Sequence, residues 1–446
     1  MKSLIGLALA AALWFAPSPS FAFHSFYAAI EWMNLMDSAD EALALLDFER
    51  ARENYLAAMA QGEVILFDSD RPLAQSLTGV AKTYAVQKKF REATPYAERR
   101  VVLDREKDEP NPPGLAQSIQ FLAGLYVEIE RFQEALALAE EALSIHETIQ
   151  GKESEVAATS HLLIGRAFIG LKKYPESRAA YKRALAILTN LPDPYGKQRG
   201  ILMLRIGTTY SLQQRFADAV PYFQRAQGVL QEALGPDDRY VALVMSALAG
   251  AYTKQGLFEV AEPLYKRALA IVRRVQGPDH LDTADTYMNV ALYYSARKDY
   301  RAAEDSFRSA LEIRERKLGR SDPTVGVTLY ALASTLMKQK RFSDAEPLLR
   351  RALVIVDRSK GPNSADAGLI LGRIAIVHDV AGRMRQAKQL YEGALGILEP
   401  ALGEANADVI TLRQNYQALV GRMDGMEDTV GPELIDPGAS SIVITE

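Results

Sequence analysis

Residues 249–280 read AGAYTKQGLFEVAEPLYKRALAIVRRVQGPDH, and this stretch decides the fold. From the small residue Ala249 the order runs Tyr252, Phe258, Ala261, Tyr265 and Ala268, at offsets of three, nine, twelve, sixteen and nineteen. Spacings of three and four place apolar residues on one face of a helix. The next period repeats the pattern, with Met288, Leu292 and Ser295 on one helix and Ala303, Phe307, Ala310 and Leu311 on the following one. Gly277-Pro278 then stops the second helix, because glycine tolerates a positive φ and proline cannot continue the hydrogen-bond ladder. The unit is therefore a helical hairpin.

The hairpin repeats. The marker Phe258 belongs to a series spaced by 42 residues without insertion or deletion: Phe48, Phe90, Phe132, Tyr174, Phe216, Phe258, Tyr300, Phe342 and Met384. Nine residues earlier stands a small residue: Ala39, Ala81, Ala123, Gly165, Gly207, Ala249, Ala291, Ala333 and Ala375. Three residues after the marker comes alanine, or Ser177 in one repeat, and ten after comes alanine again, with Arg100 the single exception. Such small residues let helix axes approach to about 8–10 Å, with the aromatic seven after the marker (Tyr55, Tyr181, Phe223, Tyr265, Phe307, Tyr391) filling the grooves. Glycine recurs nineteen after the marker at Gly151, Gly235, Gly277, Gly319, Gly361 and Gly403, which predicts left-handed caps. Asp279, Asp282 and Asp322 are the predicted acceptors that start the next helices.

Ala249, Tyr252, Phe258, Ala261, Tyr265 and Ala268 together resemble the tetratricopeptide repeat. The period of 42 and the run Leu264 to His280 are similar to the kinesin light chain subclass, and the likeness covers about residues 32–409. The resemblance implies an all-α, right-handed α-solenoid of about nine helical hairpins with a C-terminal capping helix. Kinesin light chain repeats carry an asparagine pair before the small residue, whereas this chain keeps only Asn289 there; its equivalents include Phe121, Leu163, Arg205, Ala331 and Arg373. Cargo specificity does not carry over.

Residues 1–22 read as a secretory signal: Lys2, the apolar run Ser3 to Ala16, and small residues at Ser20 and Ala22 before a cleavage. Such a run, ended by Pro17 and Pro19, is shorter than the roughly 20 residues needed to span a bilayer, so no stable membrane insertion is expected after cleavage. The expected product is exported, periplasmic or secreted. Residues 23–73 form a degenerate capping repeat, 74–409 eight repeats, 410–426 a capping helix and 427–446 a flexible tail. Asp108–Pro113 and Asn190–Arg199 depart from the loop pattern while holding register, which predicts shorter helices and longer loops there.

The chain of 446 residues has no cysteine, which removes disulfides, zinc–cysteine sites and thiol catalysis. Its formal net charge of −4 gives no electrostatic basis for binding nucleic acid or anionic membrane. Gly79-Val80-Ala81-Lys82-Thr83 lacks the glycines of a phosphate loop. His146-Glu147 opens like a zinc-protease helix, but Gln150 replaces the second histidine, leaving a surface histidine. His378 falls on a usually aromatic position and reads as a core residue. No enzyme, cofactor or metal is expected. In tetratricopeptide arrays the first helices line the concave face, which implies a groove including Gln117, Gln120, Arg166, Leu204, Arg205, Met288, Asn289, Leu292, Tyr330, Met337 and Arg373. Apolar anchors beside isolated cations suit a peptide or protein segment with some acidic character. The alternative is a structural component of the envelope that self-associates or bridges complexes through its ends or convex face.

Overall fold

The computed structural model describes residues 19–63, 71–106, 112–192 and 194–425. Among the described residues there are nineteen helices and no strand. The chain divides into two compact units, Met1–Val229 and Leu230–Glu446. The first contains α1 (Pro19–Ala44), α2 (Phe48–Gly62), α3 (Arg71–Val86), α4 (Phe90–Arg105), α5 (Pro112–Glu128), α6 (Phe132–Gln150), α7 (Glu155–Gly170), α8 (Tyr174–Asn190), α9 (Gly196–Leu212) and most of α10 (Phe216–Leu234). The second continues with α11 (Arg239–Lys254), α12 (Phe258–Val275), α13 (Leu281–Ala296), α14 (Tyr300–Leu318), α15 (Pro323–Lys338), α16 (Phe342–Lys360), α17 (Ala365–Val380), α18 (Met384–Leu402) and α19 (Ala407–Met423).

Each marker residue is the first residue of a second helix, from Phe48 in α2 to Met384 in α18. Two residues before it, every hairpin turns through positive φ, and seven of the nine residues there are not glycine: Leu46, Lys88, Glu130, Lys172, Gln214, Lys298 and Lys340. The turn is held by a bond from the amide before the marker back to the carbonyl five residues earlier, as from Arg341 N to Leu336 O at 2.9 Å and Lys173 N to Phe168 O at 2.9 Å. This is the Schellman closure, which satisfies carbonyls the helix end would otherwise leave open.

The connections between hairpins use another geometry. Gly319 has φ 87° and ψ 156°, and Gly151, Gly361 and Gly403 are alike. Positive φ was expected, but the ψ values lie outside the left-handed helical region, in territory essentially reserved for glycine. Asp322 caps α15 through the amide of Thr324 at 2.8 Å, as the sequence suggests. Asp279 and Asp282 do not cap: His280 Nδ1 accepts from the amide of Asp282 at 3.1 Å, while Asp279 pairs with Arg316 and Asp282 with Arg239.

The repeated alanines are fully buried, Ala81, Ala123, Ala249, Ala291, Ala333 and Ala375 among them. Gly165 stands in this series because the Tyr181 ring lies flat on its backbone, 2.4 Å from where a Cβ would be. The first unit carries several small apolar clusters. In the second unit one cluster runs from Ala284 to Leu419. Where loops depart from pattern the second helices are shorter, 16 residues in α4 and 17 in α8 against 19 in α6, α14, α16 and α18. The final helix begins slightly earlier than expected, at Ala407, with Asn406 accepting from the amide of Asp408 at 2.9 Å. The expected cleavage point after Ala22 falls inside α1, whereas residues 1–18 and the tail expected at 427–446 lie outside the described residues.

Candidate functional site

The first helix of each hairpin presents one row of residues toward its second helix and another row away from it. In the second unit much of that outer row is not a surface. Met288, Tyr330, Met337 and Arg373 are buried, Arg373 at 1% exposure; Asn289 is half-buried and Leu292 is 46% exposed. The first four therefore do not line an open groove, contrary to the sequence expectation. The cause is composition: α15 and α17 are apolar nearly all round, with Leu369, Ile374, Ile376 and Val377 buried beside Arg373, and such a helix is driven into the core. The Arg373 guanidinium lies 4.7 Å from the centre of the Tyr330 ring, a cation–π contact that helps offset its burial.

The first unit differs. Gln117 is exposed, Gln120, Arg166 and Arg205 are half-buried, and only Leu204 is buried. Gln120 Nε2 lies 3.5 Å from Ser160 Oγ, and Arg166 pairs with Glu128. Between α7 and α9 opens a cleft of about 100 Å³ lined by Thr159, Leu162, Leu188, Ile201 and Leu202, with Glu155 and Tyr195 joined by a 2.8 Å hydrogen bond at its rim. Arg166 follows Leu162 and Arg205 follows Ile201 by one helical turn, so the cations sit about 6 Å further along the same faces. Beside them lies Tyr181, 0% exposed, whose hydroxyl is near Ser177 and Arg205 without a well-formed hydrogen bond to either; Arg205 Nε has no acceptor. Burial pushes the Tyr181 phenol up, and the nearby Arg205 and Arg166 oppose that rise. The sequence reading found the two arginines but not Tyr181, which it assigned to packing alone.

Elsewhere the charged groups form internal networks. In the second unit Glu346 meets Arg383 at 2.7 Å, Arg350 at 2.7 Å and His378 Nε2 at 3.2 Å, while His378 Nδ1 faces Gln386 Oε1 at 3.1 Å. The Arg383 hydrogen bond is the largest cause that holds the Glu346 carboxyl down at about 2. Glu304, also buried, is bound by Arg341 and Gln339 at 2.8 Å. His378 is the core residue the sequence suggested. His146 is not at the surface: it is buried, which lowers its pKa. Among the described residues no group of three His, Asp or Glu side chains is arranged to hold a metal ion, and no helix is long and apolar enough to cross a membrane.

Stacked hairpins with a cleft on their first helices define a repeat scaffold. A tetratricopeptide repeat model matches residues 115–190, 198–271, 240–316 and 324–399, together more than half of the chain. The chain belongs to the tetratricopeptide repeat family, generally a fold for protein interaction without catalysis. No curated protein matches it by sequence. Among solved structures it is similar to the apo form of the quorum sensor NprR from B. thuringiensis, at 14% identity and a TM-score of 0.56, over 82% of this chain and 98% of that one. It is similar also to aspartyl phosphate phosphatase F from Bacillus subtilis, at 14% identity and a TM-score of 0.52, over 78% and 87% of the two chains. The nearly identical repeats of a kinesin light chain-type protein from Podosopora anserina match at 17% identity and a TM-score of 0.42, over 47% of this chain and 98% of that one. At these identities the likeness is one of fold.

Proposed function

We propose that this protein is a non-catalytic adaptor of the cell envelope that binds a peptide or extended protein segment on the first helices of its N-terminal unit. The observation that carries the reading is the cleft between α7 and α9, apolar at Leu162 and Ile201 and cationic one turn further on. An apolar slot beside fixed donors gives both affinity and orientation to a peptide. The signal-like segment, with Lys2, the apolar run to Ala16 and Ser20-Phe21-Ala22, supports export. The buried first helices of the C-terminal unit are read as a rigid support.

The test is crosslinking capture from envelope extract with the native chain and with Arg166→Glu plus Arg205→Glu. Loss of specific partners from the variant, with folding unchanged, is the expected result. Identical partner lists would sink the reading. A stable oligomer by light scattering whose contacts cover this cleft would favour the self-assembling component instead.

A further inference from the structure

We propose that residues 427–446 dock on the edge of the last hairpin, where their carboxylates pair with Lys388 and Arg385 and their apolar side chains cover Val380, Met384 and Met423. This surface is separate from the cleft between α7 and α9 and does not depend on it. The ninth hairpin differs from the three before it at one charged position. Four residues after the marker stand Glu262, Glu304, Glu346 and then Lys388. Each glutamate takes an arginine from the turn of the following hairpin: Glu262 takes Arg297 at 3.1 Å, Glu304 takes Arg341 at 2.8 Å and Glu346 takes Arg383 at 2.7 Å. Lys388 reverses that sign. In register it meets the turn after α19, which holds Asp424 and leads into Glu427 and Asp428. Among the described residues, neither the half-buried Lys388 nor the exposed Arg385 has an ion-pair partner.

An apolar patch adjoins these cations. A marker side chain packs against the end of the next first helix, as the Phe132 ring does against Gly170. The residue six repeats after Gly170 is Arg422, which pairs with Asp379. Met384 is left 36% exposed, whereas the other eight markers are half-buried. Val380, 45% exposed, stands across the turn from Met384, and the Arg422–Asp379 pair brings Met423, 38% exposed, to the same edge. Apolar side chains exposed together beside cations without partners suit an anionic and partly apolar segment. Residues 427–446 have that composition. They carry Glu427, Asp428, Glu433, Asp436 and Glu446 with no lysine or arginine, and the apolar residues Val430, Leu434, Ile435 and Ile442 to Ile444. Because they follow α19 in the same chain, their effective concentration at this edge is about millimolar or higher, which exposed ion pairs of modest strength require.

The chain has no cysteine, so Ser441→Cys gives the full chain a single attachment point for a nitroxide, and methionine methyl groups observed by NMR report the surface it approaches. Broadening at Met384 and Met423 that exceeds broadening at Met288 and Met337 is expected. Lys388→Glu together with Arg385→Glu should lessen it about threefold, the effect of losing two exposed ion pairs. Raising the salt concentration on the unreversed chain should act in the same direction, with no substitution to disturb folding. Broadening that neither charge reversal nor salt alters overturns the docking, because a tethered segment sampling space at random passes Met423 whatever its charge. Absence of broadening at Met384 overturns it as well. A mixture of nitroxide-bearing chain with separately isotope-labelled chain tests the other occupant: broadening of Met384 in that mixture assigns the edge to a second copy and also overturns the proposal.

Discussion

Arg205 and Arg373 occupy the same register position four repeats apart, one in each unit, and meet opposite surroundings. Around Arg205 the first helices carry Thr159, Leu162, Arg166 and Thr208, and Arg205 is only half-buried, though its Nε is enclosed. Around Arg373 they carry Tyr330, Leu369, Ile376 and Met337, all buried, and the guanidinium is enclosed with them. The 42-residue period and the positive-φ turn within each hairpin are the same in both units. What differs is one row of side chains, and that row decides whether a first helix offers a surface or completes a core.

The sharpest way to break this comparison is to truncate both arginines. Arg373→Ala removes a large, fully enclosed side chain and should cost about 3 kcal/mol or more in chemical denaturation, whereas Arg205→Ala should cost under about 1 kcal/mol. Equal costs would mean that the two rows do not differ in kind. Next in size is the packing register shared by both units. Ala291→Leu adds three carbons at a fully buried position and should cost about 2 kcal/mol; an unchanged denaturation midpoint would refute the assigned register.

The ion-pair network of the second unit predicts an acid limb. The Glu346 carboxyl is held at about 2 against an ordinary 4.5, first by the Arg383 hydrogen bond. A lowered carboxyl stabilises the fold above its unfolded value and loses that contribution as pH falls from about 4.5 toward 2. Because its arginine partners reach solvent, the contribution is about 1–2 kcal/mol. Glu346→Gln should therefore lower stability at neutral pH and flatten the loss on acidification, measured by urea titrations across that window. The smallest effect contrasts two tyrosines: Tyr391→Phe breaks the bond to Asp379 and should cost about 1 kcal/mol, while Tyr181→Phe should cost nothing measurable. A destabilised Tyr181→Phe would show that its hydroxyl already has an acceptor.

The period of 42 carried most of the fold, because the residues that set it are the ones whose size is limited by helix approach. The positive-φ turn two residues before each marker is not marked by glycine, which stands there only at Gly256 and Gly382. Leu46, Glu130, Gln214 and Lys340 share no chemistry, since backbone bonds such as Arg341 N to Leu336 O hold that conformation without glycine. The groove was half legible. Periodicity gives the phase of Met288, Tyr330 and Met337 on their helices, but an apolar residue at that phase serves equally as a ligand anchor or as core, and only the neighbouring helices choose. Tyr181 was readable in principle. Its register position is plain seven residues after Tyr174, but the cations near its hydroxyl, Arg166 on α7 and Arg205 on α9, come from other helices, and only the structure brings them together.

The glycines between hairpins have a consequence in terms of chirality. At φ 87° and ψ 156°, Gly319 occupies a region essentially closed to L-residues, whose mirror image lies at the edge of extended backbone and so is easier for a D-residue. A D-alanine introduced there by chemical ligation should be strained less than an L-alanine. Each such connection depends on one residue of the opposite hand, which a genetically encoded chain can supply only by leaving out the side chain.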